Sequence, residues 1–172
     1  MKNLALAAVG VLAFSLDFSL ISCKKDQTPA SVVPVISFKE LKKFNSDSAT
    51  LTINFRDGDG DIGLDPTTFS APFNVGSKYQ YNLYLVYYYQ DMTGVWKPWD
   101  TNISTPQMDT LFYGYRIPTL PQTGQKSLTG EIKVRLNYPY SVPGQNIFKF
   151  KIVLIDRALH ISNEIDSGPL TP

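Results

Sequence analysis

The residues best suited to chemistry stand in one short run, Asp57-Gly58-Asp59-Gly60-Asp61-Ile62-Gly63-Leu64-Asp65. Carboxylates at every second position concentrate negative charge on a tight loop. A cation or solvent must relieve that repulsion. Ca²⁺ takes six to eight oxygens from flexible loops, and D-x-D-x-D is a recurring way to supply them. The interleaved glycines permit positive φ, so neighbouring carboxylates can converge. The run is not an EF-hand. With Asp57 as position 1, Ile62 stands where Gly is required and Thr68 where a bidentate Glu is required. Two readings follow: a calcium loop set between strands, with Asp57, Asp59, Asp61 and Asp65 as ligands, or a solvated hairpin turn, since Asp-Gly is a strong turn dipeptide. Mg²⁺ or another metal is a third.

A second polar group lies late in the chain. Asp156 follows the run Phe148 to Ile155, and Asn163 lies a little beyond it. Asp156 continues the odd-even series of Phe148, Phe150, Ile152 and Leu154, as Asp57 continues Ala49, Leu51, Ile53 and Phe55. Side chains alternate faces along a strand, so both aspartates point the way their core residues do. If the strand ends meet at one pole, Asp156 becomes a further ligand or a partner of the ligands. The alternative is an ordinary turn.

Other chemistries find little support. The chain has one His and one Cys, which excludes an internal disulfide and the usual Cys/His metal sites. It carries no G-x-S-x-G elbow, H-E-x-x-H helix or phosphate-binding glycine loop. His160 reads as a turn histidine without a partnered serine. A glycosidase needs two placed carboxylates, and the sequence offers too many to choose a pair. No catalytic residues are assigned. A formal net charge of +1 gives no case for nucleic acid as partner.

The elements that would position these residues are strands. Ala49 to Phe55 alternates apolar with polar residues, and Tyr79 to Tyr89, Leu111 to Ile117, Ile132 to Leu136 and Phe148 to Leu154 do the same. Shorter candidates lie near Val35–Leu41, Val95–Trp99 and His160–Ile165. No stretch after the N-terminal segment sustains a helical period, and prolines punctuate the links. Seven to eight short strands with Gly/Pro turns imply an all-β, antiparallel, immunoglobulin-like β-sandwich over residues 33–172, with a small β-barrel as runner-up. Tyr84, Tyr88, Trp96 and Trp99 flank the turn Gln90 to Gly94. Such aromatics are what sugar rings and protein partners stack on, or they pack under loops.

The N-terminus has its own pattern. Lys2 precedes an apolar run from Leu4 to Leu16, followed by Leu20-Ile21-Ser22-Cys23. This resembles the lipobox of bacterial lipoproteins, which implies a signal peptide over residues 1–22, cleavage before Cys23, and lipid on Cys23. Two or three acyl chains hold a protein firmly, at about 0.8 kcal/mol per buried methylene. Asp17 opposes an uncleaved membrane span, because a mid-membrane carboxylate costs roughly 3 kcal/mol. Residues 23–32 then form the lipidated Cys and a polar, flexible tether. Lys24 after the cysteine points to the outer membrane, on its periplasmic side or at the cell surface.

The segments Phe55–Gly63 and Ile155–Ala158 with Ser162-Asn163 resemble uncharacterised single-domain lipoproteins of Bacteroidota. The resemblance implies a sandwich fold and an envelope location, and carries no activity. Leu159-His160 stands where Gly-Asn is expected. The sequence thus describes a membrane-anchored envelope lipoprotein, a calcium-stabilised binding or accessory module of unspecified ligand. The alternatives are a glycan-binding surface lipoprotein using the Tyr/Trp hairpin, an envelope-protein partner at the same patch, and an unrecognised enzyme.

Overall fold

The computed structural model describes residues 31–45, 48–99, 110–120, 127–137 and 147–171. Cys23, the signal segment and most of the tether lie outside the described residues. Eight strands are present among those described: β1 (Val35–Asn45), β2 (Ser48–Asp57), β3 (Leu83–Gln90), β4 (Trp96–Pro98), β5 (Phe112–Tyr115), β6 (Leu128–Asn137), β7 (Phe148–Leu154) and β8 (Ile165–Asp166).

They form two antiparallel sheets. One has the order β1-β2-β6. The other has the order β4-β3-β7-β8, with β5 beside β3. β5 pairs with the first half of β3 and β4 with its end, so the two short strands share one edge. The chain changes sheet between β2 and β3, between β5 and β6, and between β6 and β7. That places β2 against β6 in one layer and β3 against β7 in the other, as in a β-sandwich. The sheets do not close into a barrel.

Alternation explains the layers. Ala49, Leu51, Ile53 and Phe55 face Leu83, Leu85, Phe150, Ile152 and Leu154 across a buried core. Asp57, at the last position of β2, and Asp156, just beyond β7, keep the inward sense of those strands. They are 0% and 1% exposed, as deeply buried as the leucines before them. The strand expected from Tyr79 begins instead at Leu83. Tyr79 and Tyr81 lie in turns held by side chains: the Tyr79 N–H donates to Ser77 Oγ at 3.0 Å, and Tyr84 Oη donates to the Lys78 carbonyl at 2.8 Å. Tyr81 also lies against Gly114 of β5, where a Cβ would stand 2.2 Å from its ring.

The segment between β2 and β3 contains no strand or helix and is held by Arg116. Its guanidinium donates to the carbonyls of Asp65, Thr68, Phe73 and Gln80, and it stacks on Phe69 at 4.8 Å. Gly63 lies where this segment crosses the β5–β6 connection. Its φ is +119°, and a Cβ there would meet the Pro118 carbonyl at 2.7 Å. Both facts restrict this position to glycine.

Candidate metal centre

The two strand ends meet at one pole. Asp57, Asp59, Asp61 and Asp156 each present a carboxylate oxygen, and these oxygens lie within 4.8 Å of one another. The loop is shaped by the carboxylates themselves. Asp57 Oδ2 accepts from the Asp61 N–H at 2.9 Å, folding the loop back on its origin. Asp61 Oδ2 accepts from the Ala158 N–H at 3.0 Å, and the Asp61 carbonyl accepts from Arg157 Nε at 3.1 Å. These last two contacts join the β2 loop to the turn after β7.

Asp156 is fixed from its other side. Its Oδ1 accepts from the His160 N–H, and its Oδ2 lies 2.8 Å from His160 Nδ1. His160 is therefore a half-buried partner of the cluster rather than a free turn residue. The i, i+4 spacing of Asp156 and His160 was the available signal. Leu159, between Ala158 and His160, has φ +72°. A bulky side chain rarely adopts this left-handed conformation, which costs roughly 1–2 kcal/mol. The bend brings the His160 backbone N–H and its ring Nδ1 to Asp156.

The electrostatics are those of crowded, buried anions. Burial, then the charges of Asp59 and Asp61, push the Asp57 carboxyl up to about 6. The Asp61 carboxyl is also raised, by burial and then by the Asp156 and Asp59 charges. The His160 imidazole is raised, first by its hydrogen bond to Asp156. Five buried side-chain N or O atoms among the described residues lack a hydrogen-bond partner, and three are Oδ1 of Asp57, Asp59 and Asp61. A buried acceptor without a donor is costly, and a buried carboxylate more so. A group of four carboxylates, three of them with such an oxygen, could hold a metal ion.

The chain was compared with known families, characterised proteins and solved structures. None of them matches it. The arrangement of side chains therefore carries the argument alone.

Asp65, expected as a ligand, is not part of the cluster. Its Oδ1 accepts from the Thr67 N–H at 2.7 Å and from Thr67 Oγ1 at 2.5 Å, which makes it the cap of its own exposed turn. The Asp-x-Thr spacing is the signature of such a turn. Asn163 is also elsewhere. Its side-chain amide accepts from the Ile36 N–H and donates to the Ile36 carbonyl, both at 2.9 Å, imitating a neighbouring strand at the edge of β1.

The four aromatics do not form one patch. Tyr84, Tyr88 and Trp96 lie on the outer face of the larger sheet. Trp99 turns inward and packs edge-on against Tyr87 and Tyr89, with ring centroids 6.0 and 5.8 Å away. Period 2 already separates Trp96 from Trp99, three residues apart. On the outer face, Lys149 lies over Trp96 at 4.8 Å and Lys151 over Tyr88 at 5.4 Å. Those lysines pair with Asp166 and Glu164.

Proposed function

We propose that the protein is a lipid-anchored lipoprotein of the outer membrane whose β-sandwich binds calcium at the Asp57–Asp61 loop and Asp156, and that it serves as a binding or accessory module in the envelope. The observation that carries the metal reading is that Asp57, Asp59, Asp61 and Asp156 bring carboxylate oxygens within 4.8 Å of one another, while Asp57, Asp59 and Asp61 each keep a buried oxygen without a hydrogen-bond partner. Its selectivity follows from the donors. An all-carboxylate set is hard, which favours Ca²⁺, Mg²⁺ or Mn²⁺ over Zn²⁺ or Cu²⁺. Mg²⁺ keeps most of its waters and uses one or two carboxylates, whereas Ca²⁺ accepts a larger set on a flexible loop. Lipid on Cys23 rests on the lipobox resemblance.

Calcium bound here would tie the end of β2 to the end of β7, one strand from each sheet, and offset the repulsion among the carboxylates. Thermal unfolding of the mature chain in millimolar Ca²⁺, Mg²⁺ or EDTA tests this. Free calcium at one hundred times Kd adds about 2.7 kcal/mol, or roughly ten degrees in melting temperature for a domain of this size. A rise specific to calcium is expected. Equal melting in all three would leave the loop as a turn only.

A second reading is favoured by Trp96, Tyr88 and Tyr84 sharing one outer face with Phe112, which is 48% exposed. Such a face could stack on a glycan. Trp96→Ala should then abolish binding to the glycan while leaving the melting temperature unchanged, as judged by affinity electrophoresis beside a melt. A drop in stability would place Trp96 in the packing of the sheet.

A further inference from the structure

The same pole that carries the aspartates is where the chain enters the domain. The Gly58 N–H, between Asp57 and Asp59, donates to the Ser31 carbonyl at 2.9 Å. Asn163, on the segment after Asp156, clasps both backbone groups of Ile36. The Asp57–Asp61 loop and the segment that follows the Asp156 turn therefore both hold residues at the start of the described chain. Val35 pairs with Arg56, which puts the start of β1 beside the end of β2.

We infer that the metal pole is the end of the domain that faces the anchoring membrane, with the opposite pole and its β3–β4 turn directed away from it. The inference rests on the lipid-anchored reading above. Cys23 and Ser31 are separated by a polar segment containing Gln27, Thr28 and Pro29. The eight peptide steps from Cys23 to Ser31 reach at most about 29 Å. β2 has 10 residues, so the poles lie about 30 Å apart at the usual strand rise. That limit is no longer than the body itself, so the far pole cannot turn to the bilayer without drawing the connecting chain to its full covalent reach. Arg56 and Arg157 lie at this pole beside the carboxylates, so fixed cations as well as anions face the lipid headgroups. Calcium in the cluster would reduce the remaining negative charge on that pole. Among the described residues, the surface directed outward includes the turn Asp91–Val95, where Met92 is 92% exposed.

The test uses the full lipidated protein in phosphatidylcholine vesicles containing lipid with a nitroxide headgroup, in millimolar calcium. Cys23 is the only cysteine and is acylated in this form, so an introduced cysteine is the sole free thiol to label. A fluorophore on Ala158→Cys, at the metal pole, should be quenched several-fold more than one on Met92→Cys. The pair Thr119→Cys and Val95→Cys repeats the comparison on other loops should Ala158→Cys disturb the turn. Equal quenching at both poles, or stronger quenching at Met92→Cys, would overturn the orientation while leaving the anchor intact. Protein that fails to sediment with the vesicles would overturn the anchor and the orientation with it.

Discussion

Two aspartate turns in this molecule begin from similar residues and end in opposite electrostatic states. Asp91 opens the β3–β4 turn and is surrounded by donors. Its Oδ1 accepts from the Thr93 N–H, Thr93 Oγ1 and the Val95 N–H, and its Oδ2 pairs with Lys97 at 2.7 Å. Those hydrogen bonds, the Lys97 contact first, hold its carboxyl well below the usual range. Asp57 is buried, faces three other carboxylates and is pushed up to about 6. The first turn is complete without a ligand. The second is short of positive charge and of donors. Carboxylate spacing alone does not distinguish them; the supply of donors does.

The largest effect expected from breaking this comparison is on calcium. Asp59→Ala should remove the calcium-dependent gain in stability, about 2.7 kcal/mol at one hundred times Kd. Asp91→Ala should lower the melting temperature equally in calcium and in EDTA. A calcium response that survives Asp59→Ala would dissociate the cluster from the ion.

Next comes the pH profile in EDTA. A carboxyl whose folded pKa is raised binds its proton more tightly in the native state, so it favours folding at low pH. For Asp57 that advantage is lost as pH rises from about 4 through about 6. Asp91 has the opposite sign, because its depressed pKa contributes stability above its ordinary value of 3.8 that is lost on acidification. Melts across pH 4 to 7 should show metal-free stability declining with pH, and calcium should reverse the decline. Asp57→Asn, which keeps an acceptor for the Asp61 N–H, should flatten the profile. It should also stabilise the metal-free protein near neutrality by about 1 kcal/mol once solvent screening is allowed for.

The smallest effect concerns the turn that aims Asp156. Leu159→Gly relieves a left-handed conformation but adds chain entropy to the unfolded state, for a net gain of about 0.5 kcal/mol in a denaturant melt. A loss would mean that the Leu159 side chain contributes more by packing than its backbone costs.

Much of the fold was legible because the core strands alternate cleanly. Leu51, Ile53, Ile132, Val134, Phe150 and Ile152 each sit where period 2 puts them. The same rule carried Asp57 and Asp156 inward to a common pole. It misled at Tyr79 and Tyr81, where apolar alternation runs on into turns fixed by Ser77 and the Tyr84 hydroxyl. Asp65 resembled its neighbours in type, but Thr67 supplies the donors that make it a cap. The roles of His160, Asn163 and Ser31 depend on contacts between segments far apart in the chain, or on a backbone bend at Leu159. Residue patterns do not encode these directly.

The most direct measurement is a calcium-binding isotherm of the mature chain, recorded beside Mg²⁺ and beside Asp57→Asn. One calcium per chain, bound more tightly than magnesium and lost in the variant, is the expected result. The absence of binding at millimolar calcium, or undiminished binding by the variant, would contradict the assignment of this pole as a calcium centre.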